Sequence, residues 1–468
     1  MSEDKGTAAL FDDLPAVSEG STAAPARRGK PRLQRAVRNQ VELRACNLES
    51  TLAPEHQARA VWQFVQSLDL DALHADIRAV EGAPGRPPID PAILVALWLY
   101  ATLDGVGSAR ELDRLCHSED AYRWLCGGVG VNHHTLSDLR VEQALWLDEQ
   151  LTRSVAALLA QGVVTMNRVA QDGLRIRAHA KAASFRRRER LQQLLQDARD
   201  QVQALKKEVD DEPGTSSRRV RAARERAAAE REQRVADALR TLERIEQATA
   251  VKKPKPAAKD EPASAPDKDT TAKDKAPKAP RVSTTDADAR VMKMADGGFR
   301  PAFNGQLLVD TPTQLITAVA LNNIGSDMNQ MVPMMADVDQ RYGLVPGQWL
   351  ADGGFAKHEQ IEAIAASGCR PYLPVMAAKN DERDPHTPRE GDSPTIAQWR
   401  ERMASDEARA IYRQRGASVE CANAQLRRRG LWRFNVCGLT KARAVLLWHA
   451  LAHNLQRMIA LDVVMLPT

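Results

Sequence analysis

Three acids stand out as groups that could do chemistry together. They are Asp172 in Val169-Ala170-Gln171-Asp172-Gly173, Asp352 in Trp349-Leu350-Ala351-Asp352-Gly353-Gly354, and Glu420 in an arginine-flanked helical stretch. The first two close apolar runs of strand type, and the glycine after each lets a backbone or a ligand approach. A lone Asp before Gly is ordinarily a turn residue. The repetition of the pattern and the third acid argue for more. Three carboxylates can hold two Mg²⁺ (or Mn²⁺) ions about 3.5–4 Å apart, one activating a water or a 3′-hydroxyl and the other stabilising the leaving oxygen of a phosphoryl transfer. Arg175, Arg177, Arg186, Arg187 and Arg188 follow the first acid, and Arg427, Arg428 and Arg429 follow the third. Such flanking charge suits a polyanionic substrate, although a solvated helix also reads as arginine-rich.

The elements that must position these acids follow from periodicity. Val163–Ile176 is predicted as the opening strand, its apolar run ending in the first acid, with further strands over Arg290–Met294, Gly305–Asp310, Leu315–Leu321, Gln348–Asp352, which again ends in an acid, and Arg370–Val375. Helices are expected over Asp327–Tyr342 and 356–367, which makes an α/β domain. Glu420 is placed mid-helix, with Arg427 seven residues on and therefore on the same face. A long apolar helix, Ala442–Leu461, closes the core; His449 and His453 within it suit packing or backbone bonding better than metal. Asp310 and Asp327 are nearby acids whose spacing suits turns or caps.

Ahead of this lies a helical region, 41–162. Asp90 before Pro91 is an N-cap with proline at the first turn, Gly105-Val106-Gly107-Ser108 ends that helix and caps the next, and Thr135 opens a long helix burying Leu136, Leu139, Ala144, Leu145, Leu147, Leu151, Val155 and Leu158. The pattern fits DNA binding of helix-turn-helix type or a dimerisation bundle. Adjacent His133 and His134 suit capping or packing.

Between the first acid and the second sits an insertion, 187–249. Leu191, Leu195, Ala198, Val202, Leu205 and Val209 advance in a/d steps, and Val235, Ala238, Leu242 and Ile245 repeat the rhythm after a Pro-Gly break at 211–217. An antiparallel coiled-coil arm is the expectation, with pairing between chains as its rival. Residues 250–288, rich in Lys, Pro and Ala, read as a disordered linker, and 1–40 as a disordered basic arm that either touches DNA phosphate or stays solvated. The segments 163–186 and 289–468 would then form the two parts of one catalytic core.

Composition is consistent with this plan. At 468 residues the chain is long enough for two or three domains. Its 66 Lys+Arg against 61 Asp+Glu permit nucleic-acid binding without demanding it. The six cysteines form no C-x-x-C pair, which speaks against a zinc ribbon or a disulfide framework and for a reducing cytoplasm. No apolar run reaches the roughly 18 residues of a membrane span and the first residues do not read as a signal peptide, so a soluble, cytoplasmic protein is expected.

The sequence resembles the DDE transposases of bacterial insertion sequences, of the type with a ribonuclease-H-like core and a Tyr-Arg-Glu-Lys signature. The similar pieces are Gly85-Arg86-Pro87-Pro88-Ile89-Asp90-Pro91, Tyr122-Arg123-Trp124-Leu125, Gln171-Asp172-Gly173 with Ala183-Ser184-Phe185-Arg186, Met292 to Pro301, Ala351 to Phe355, Tyr412 to Glu420, and His453 to Met458. The resemblance implies a ribonuclease-H-like mixed sheet flanked by helices, an all-α N-terminal domain, and Asp172, Asp352 and Glu420 as catalytic, metal-binding acids. It implies that Tyr412, Arg415 and Arg427 contact the element end, with Arg175 and Arg177 as further DNA-binding candidates. Arg427 stands where the family has lysine, a planar fork in place of a point donor. The implied reaction is Mg²⁺-dependent cleavage at the element ends followed by attack of the 3′-hydroxyl on target DNA. Its partners would be double-stranded DNA, namely the terminal inverted repeats and the target, and a second copy of the chain; no membrane is involved. Two readings share the triad: a ribonuclease-H-like nuclease without strand transfer, and a catalytically silent DNA-binding relative.

Overall fold

The computed structural model describes residues 47–77, 79, 87–211, 218–251, 279–377 and 383–463. The expected basic arm (1–40), Gly85-Arg86, most of the hairpin break, the side chain of Val209 and residues 252–278 of the expected linker lie outside the described residues.

A six-stranded mixed sheet forms the centre. Its strands, with a separate short pair, are β1 (Arg168–Arg177), β2 (Phe185–Arg186), β3 (Val282–Ser283), β4 (Arg290–Lys293), β5 (Phe299–Asp310), β6 (Ile316–Asn322), β7 (Gln348–Leu350) and β8 (Arg370–Tyr372). β5 pairs antiparallel with β1 on one side and with β4 and then β6 on the other, while β7 and β8 add parallel to β1. Parallel strands are reached by crossover helices, here Met331–Tyr342 before β7 and His358–Ala366 before β8. β1, β5 and β6 are buried on both faces, so they read as apolar runs rather than as alternation.

The C-terminal helix, Leu439–Ala460, explains that burial. It is apolar around much of its circumference, with buried residues from Ala442 to Met458, as expected of a helix enclosed by protein. It packs on β6 and also on the N-terminal helices Pro91–Leu103, His133–Glu142 and Ala144–Ala160. A Cβ at Gly305 of β5 would lie 3.2 Å from Leu446 of this helix, so the glycine is what lets helix and strand close up. His453 bonds the Gln314 carbonyl through Nε2 at 2.8 Å, and Asn454 bonds Ile316 at both its N–H and its carbonyl. One apolar cluster therefore runs from Leu52 to Met458 through helices and sheet alike. No helix among the described residues is long and apolar enough to cross a membrane.

Several local expectations are corrected. The long helix opened near Thr135 is two helices, capped by Asn132 and broken at Gln143, whose ψ of 32° leaves the helical basin. The break rotates the second helix, so Leu145 is 82% exposed while Ala144, Trp146 and Leu147 are buried. The crossover helix starts at Met331 rather than Asp327, because residues 327–330 form a turn closed by the Gln330 N–H on the Asp327 carbonyl, while the Asp327 carboxylate is engaged by Arg175. The expected linker ends early: Val282–Ser283 pairs with Phe185–Arg186, and Val282 is fully buried.

The insertion forms two helices, Arg188–Asp211 and Arg218–Val251. Arg188 meets Glu243 and Glu246, Arg199 meets Glu232, and Arg231 meets Gln201, so one helix descends as the other rises and the pair is antiparallel. Leu191, Leu195, Val235, Ala238 and Leu242 bury their shared seam together with Val282.

Candidate active site

β1 and β7 bring the first two acids together by register. Ala170 pairs with Leu350 in the parallel ladder, and Asp172 and Asp352 each lie two residues further on. Side chains two apart share a face, so both acids point the same way from neighbouring strands. Asp172 is not at a strand end, as expected from the sequence, but inside β1, whose pairing with β5 continues to Arg177. What stops after Ala170 is the pairing with β7, and that opening lets Arg415 and Asn423 reach the acid. Asp352 caps the short turn Gly353–Phe355 by accepting from the Gly354 N–H at 2.8 Å.

Glu420 arrives on a different element. The helices Asp406–Arg415 and Cys421–Arg428 are joined by a π-helical turn, Gly416–Glu420. Residues five apart stand on different faces of an α-helix, whereas i to i+5 bonding stacks them. The turn therefore sets Arg415 and Glu420 one above the other. Arg415 Nη1 donates to Glu420 Oε1 at 2.5 Å, and Nη2 lies 3.0 Å from Asp172 Oδ1 and 3.8 Å from Asp352 Oδ2. A single guanidinium thus gathers all three acids.

The electrostatics are graded. Asp172 and Arg415 are largely enclosed, with side chains 15% and 9% exposed, whereas Asp352 and Glu420 are 42% and 55% exposed. Burial pushes the Asp172 carboxyl above the usual carboxylate range; the charge of Arg415 opposes this and that of Asp352 adds to it. Burial works against the charge on Arg415, but Asp172, Tyr412, Asp352 and Glu420 outweigh it and hold the group firmly protonated. Tyr412, half-buried beside the cluster, has its phenol pushed up mainly by burial.

Asn423 is a site residue that the sequence reading missed. Its Nδ2 donates to Asp172 Oδ2 at 2.7 Å, while its buried Oδ1 has no hydrogen-bond partner. Its position three residues after Glu420, on the same helix face, is the signal that would have found it. Trp432 was also passed over. It is 61% exposed, and the Arg427 guanidinium lies 5.4 Å from its ring centroid.

Arg175 is not brought to the cluster. By strand alternation it faces away from Asp172, and it is ion-paired with Asp327 at 2.8 Å and bonded to Asn304 and the Gly325 carbonyl. Arg177 is exposed at the end of β1, on the alternate face by parity, with its backbone bonded to Trp432 and Phe434. Asp310 accepts from Met166 and Thr313 in a turn, so neither of the two nearby acids competes for the cluster. His133 bonds Asp113 near its helix start, and the five described cysteines are free thiols.

Among the described residues no three His, Cys, Asp or Glu side chains are closed tightly enough to hold a metal ion as they stand. At the acid cluster the guanidinium occupies the middle. The donor set nonetheless suits a hard cation: three carboxylates converge on one positive group, and an orphaned amide oxygen lies beside them.

Comparison with known families accounts for most of the described residues. Residues 268–455 match the transposase DDE domain, and residues 47–142 match a transposase domain, DUF772. The first match includes Asp352, Tyr412, Arg415, Glu420 and Arg427; Asp172 lies before it, on the far side of the insertion. No curated protein and no solved structure matches the chain. The chain is a DDE transposase of insertion-sequence type, an enzyme of phosphoryl transfer on DNA.

Proposed function

We propose that this transposase cuts DNA at the ends of its insertion sequence and joins the freed 3′-hydroxyl to target DNA, with Asp172, Asp352 and Glu420 as its catalytic acids. The observation that carries this reading is the convergence of the three acids, from two parallel strands and a π turn, on one guanidinium. The strand order, four strands joined by antiparallel pairing and extended by two parallel ones, supports a ribonuclease-H-like core built from 163–186 and 289–468. The antiparallel helix pair and its a/d seam support a coiled-coil arm, and the helices of 47–142 support a DNA-binding N-terminal domain. A homodimer on two element ends, acting in the cytoplasm, completes the reading.

The family's chemistry uses divalent metal ions, and Asp172, Asp352 and Glu420 would hold two Mg²⁺ or Mn²⁺, with the Asn423 carbonyl oxygen beside them. When bound, the ions activate the attacking oxygen and stabilise the leaving one. The chain's own contribution is placement. β1 and β7 fix two acids in register, the π turn aims the third, and Asn423 holds one oxygen of Asp172 so that the other faces the cluster. Arg415, released from the acids, would turn its fork to a phosphate near the scissile bond, with Tyr412 and Arg427 on the same side.

Labelled element ends incubated with Mg²⁺ or with Ca²⁺ test this. Asp172→Ala, Asp352→Ala and Glu420→Ala should each abolish Mg²⁺-dependent cutting. Persistent cutting by any of them removes that acid from the site, and cutting without joining to target DNA selects the nuclease reading.

A further inference from the structure

The root of the arm carries a cleft that the catalytic reading does not use. It has a volume of about 540 Å³ and is lined by His179, Arg186, Arg190, Arg231 and Arg234, with the Thr284–Thr285 backbone turn and Cys437 closing its floor. No carboxylate lines it. Arg234 pairs only loosely, with the exposed Glu230 at 3.9 Å, and Arg190 and Arg231 bond neutral glutamines; the adjoining hollow that shares Arg234 holds Asp237, Asp286 and Asp288, set against Arg240, Arg244 and Lys441. Four arginines with no carboxylate in the lining itself form a positive concavity, and Arg433 adds to it through its contact with His179 at 3.5 Å.

The cleft is built on a fixed support. Phe185–Arg186 and Val282–Ser283 pair as a small sheet at the arm root, Phe185 is anchored in the main core, and Val282 is buried in the arm's own seam. The guanidiniums on Arg188–Asp211 and Arg218–Val251 are therefore held at a set position relative to β1. His179 lies seven residues past Asp172, in a bend just beyond the end of β1 at Arg177, so the two are at most about 23 Å apart at 3.3 Å per residue. That is roughly seven base pairs at 3.4 Å each. Arg433 bridges the route, since residues 432–434 bond the end of β1.

We propose that this arm-root cleft is a second binding site for the phosphate backbone of duplex DNA, gripping it within about seven base pairs of the acid cluster. This deepens the proposed function, because the cleft would set the register of the DNA while the acids do the cutting. Arginine forks on a rigid base suit phosphate oxygens, and a site that reads backbone alone contributes affinity and position without sequence preference.

The test is binding of a labelled 40-base-pair duplex of mixed sequence to the full chain in EDTA, across a salt series. Each phosphate contact contributes about 0.9 to the slope of log K against log salt. Arg231→Gln/Arg234→Gln should lower the slope by about 2 and weaken binding by about fiftyfold to a hundredfold at 0.1 M salt. Arg186→Gln/Arg190→Gln should do the same from the other helix, which guards against a local folding defect in one pair. The control is Arg153→Gln/Arg300→Gln, which removes equal charge from arginines already paired with Asp69, Glu149 and Asp296, and it should leave the slope nearly unchanged. Slopes for both cleft variants equal to wild type, or reduced no more than the control, would overturn the proposal. Since no metal or cutting is needed, failure of the catalytic reading would appear separately, as absent cleavage with the salt slopes as expected here.

Discussion

Arg415 and Asp172 lie 3.0 Å apart, and the same guanidinium reaches Glu420 at 2.5 Å, so the chain's own cation sits where the acids converge. Without it, three carboxylates would face one another with Asp172 largely buried. Arg415→Gln should therefore destabilise the metal-free protein by about 1–3 kcal/mol, less than a fully buried pair because Asp352 and Glu420 are half in water. Added Mg²⁺ should raise the melting temperature of the variant more than that of wild type, since it no longer competes with a guanidinium. Equal Mg²⁺ shifts in both proteins would show that the acids do not share a cation site.

Asn423 should matter through Asp172 rather than on its own. Asn423→Ala removes the bond that holds Oδ2 and should lower cleavage by about tenfold to a hundredfold with DNA affinity unchanged. Asn423→Asp restores an oxygen but not the N–H, and adds a like charge beside a buried acid, so it should not rescue. Rescue by Asp would mean that the residue acts as an oxygen donor alone.

Arg175 should prove to be a structural residue. It and Asp327 are mostly enclosed, and Asp327 also accepts from Asn304 and Gln306. Asp327→Ala should cost about 3 kcal/mol in denaturant unfolding by leaving the guanidinium unpaired. The folded fraction should bind duplex DNA with the wild-type salt slope. Gly173→Ala should act on the same pair, because a Cβ there would fall 2.5 Å from Asp327 Oδ1.

The C-terminal helix should make the protein acid-sensitive. Burial depresses His449 to about 3 and His453 to about 4, below the ordinary value of 6.5. The unfolded chain then binds protons that the folded chain refuses, so stability is full above pH 6.5 and falls as pH drops towards 4. Each histidine contributes up to about 1.4 kcal/mol per pH unit in that window. Urea midpoints at pH 7.5 and 5.5 should separate for wild type and draw together in His449→Gln and His453→Gln. An unchanged separation would place the acid sensitivity elsewhere.

Much was legible along the chain because it depends on neighbours in sequence. Asp90 and Pro91 open their helix as cap chemistry requires, Ser108 caps the next, and the apolar spacing of Leu191, Leu195, Val235, Ala238 and Leu242 marks the buried seam of the inserted helix pair. The two Asp-Gly patterns and the arginine-flanked Glu420 could be singled out as acids without any fold in hand. Pairing between distant segments could not be read this way. The register that aligns Ala170 with Leu350 is what makes Asp172 and Asp352 neighbours, and it depends on a ladder between residues some 180 positions apart in the chain. The π turn that stacks Arg415 over Glu420, the capture of Arg175 by Asp327, and the exposure of Leu145 are likewise set by what packs against each segment. Periodicity and turn chemistry are local, whereas the facing of a side chain is decided by long-range burial and by the partner that satisfies its charge.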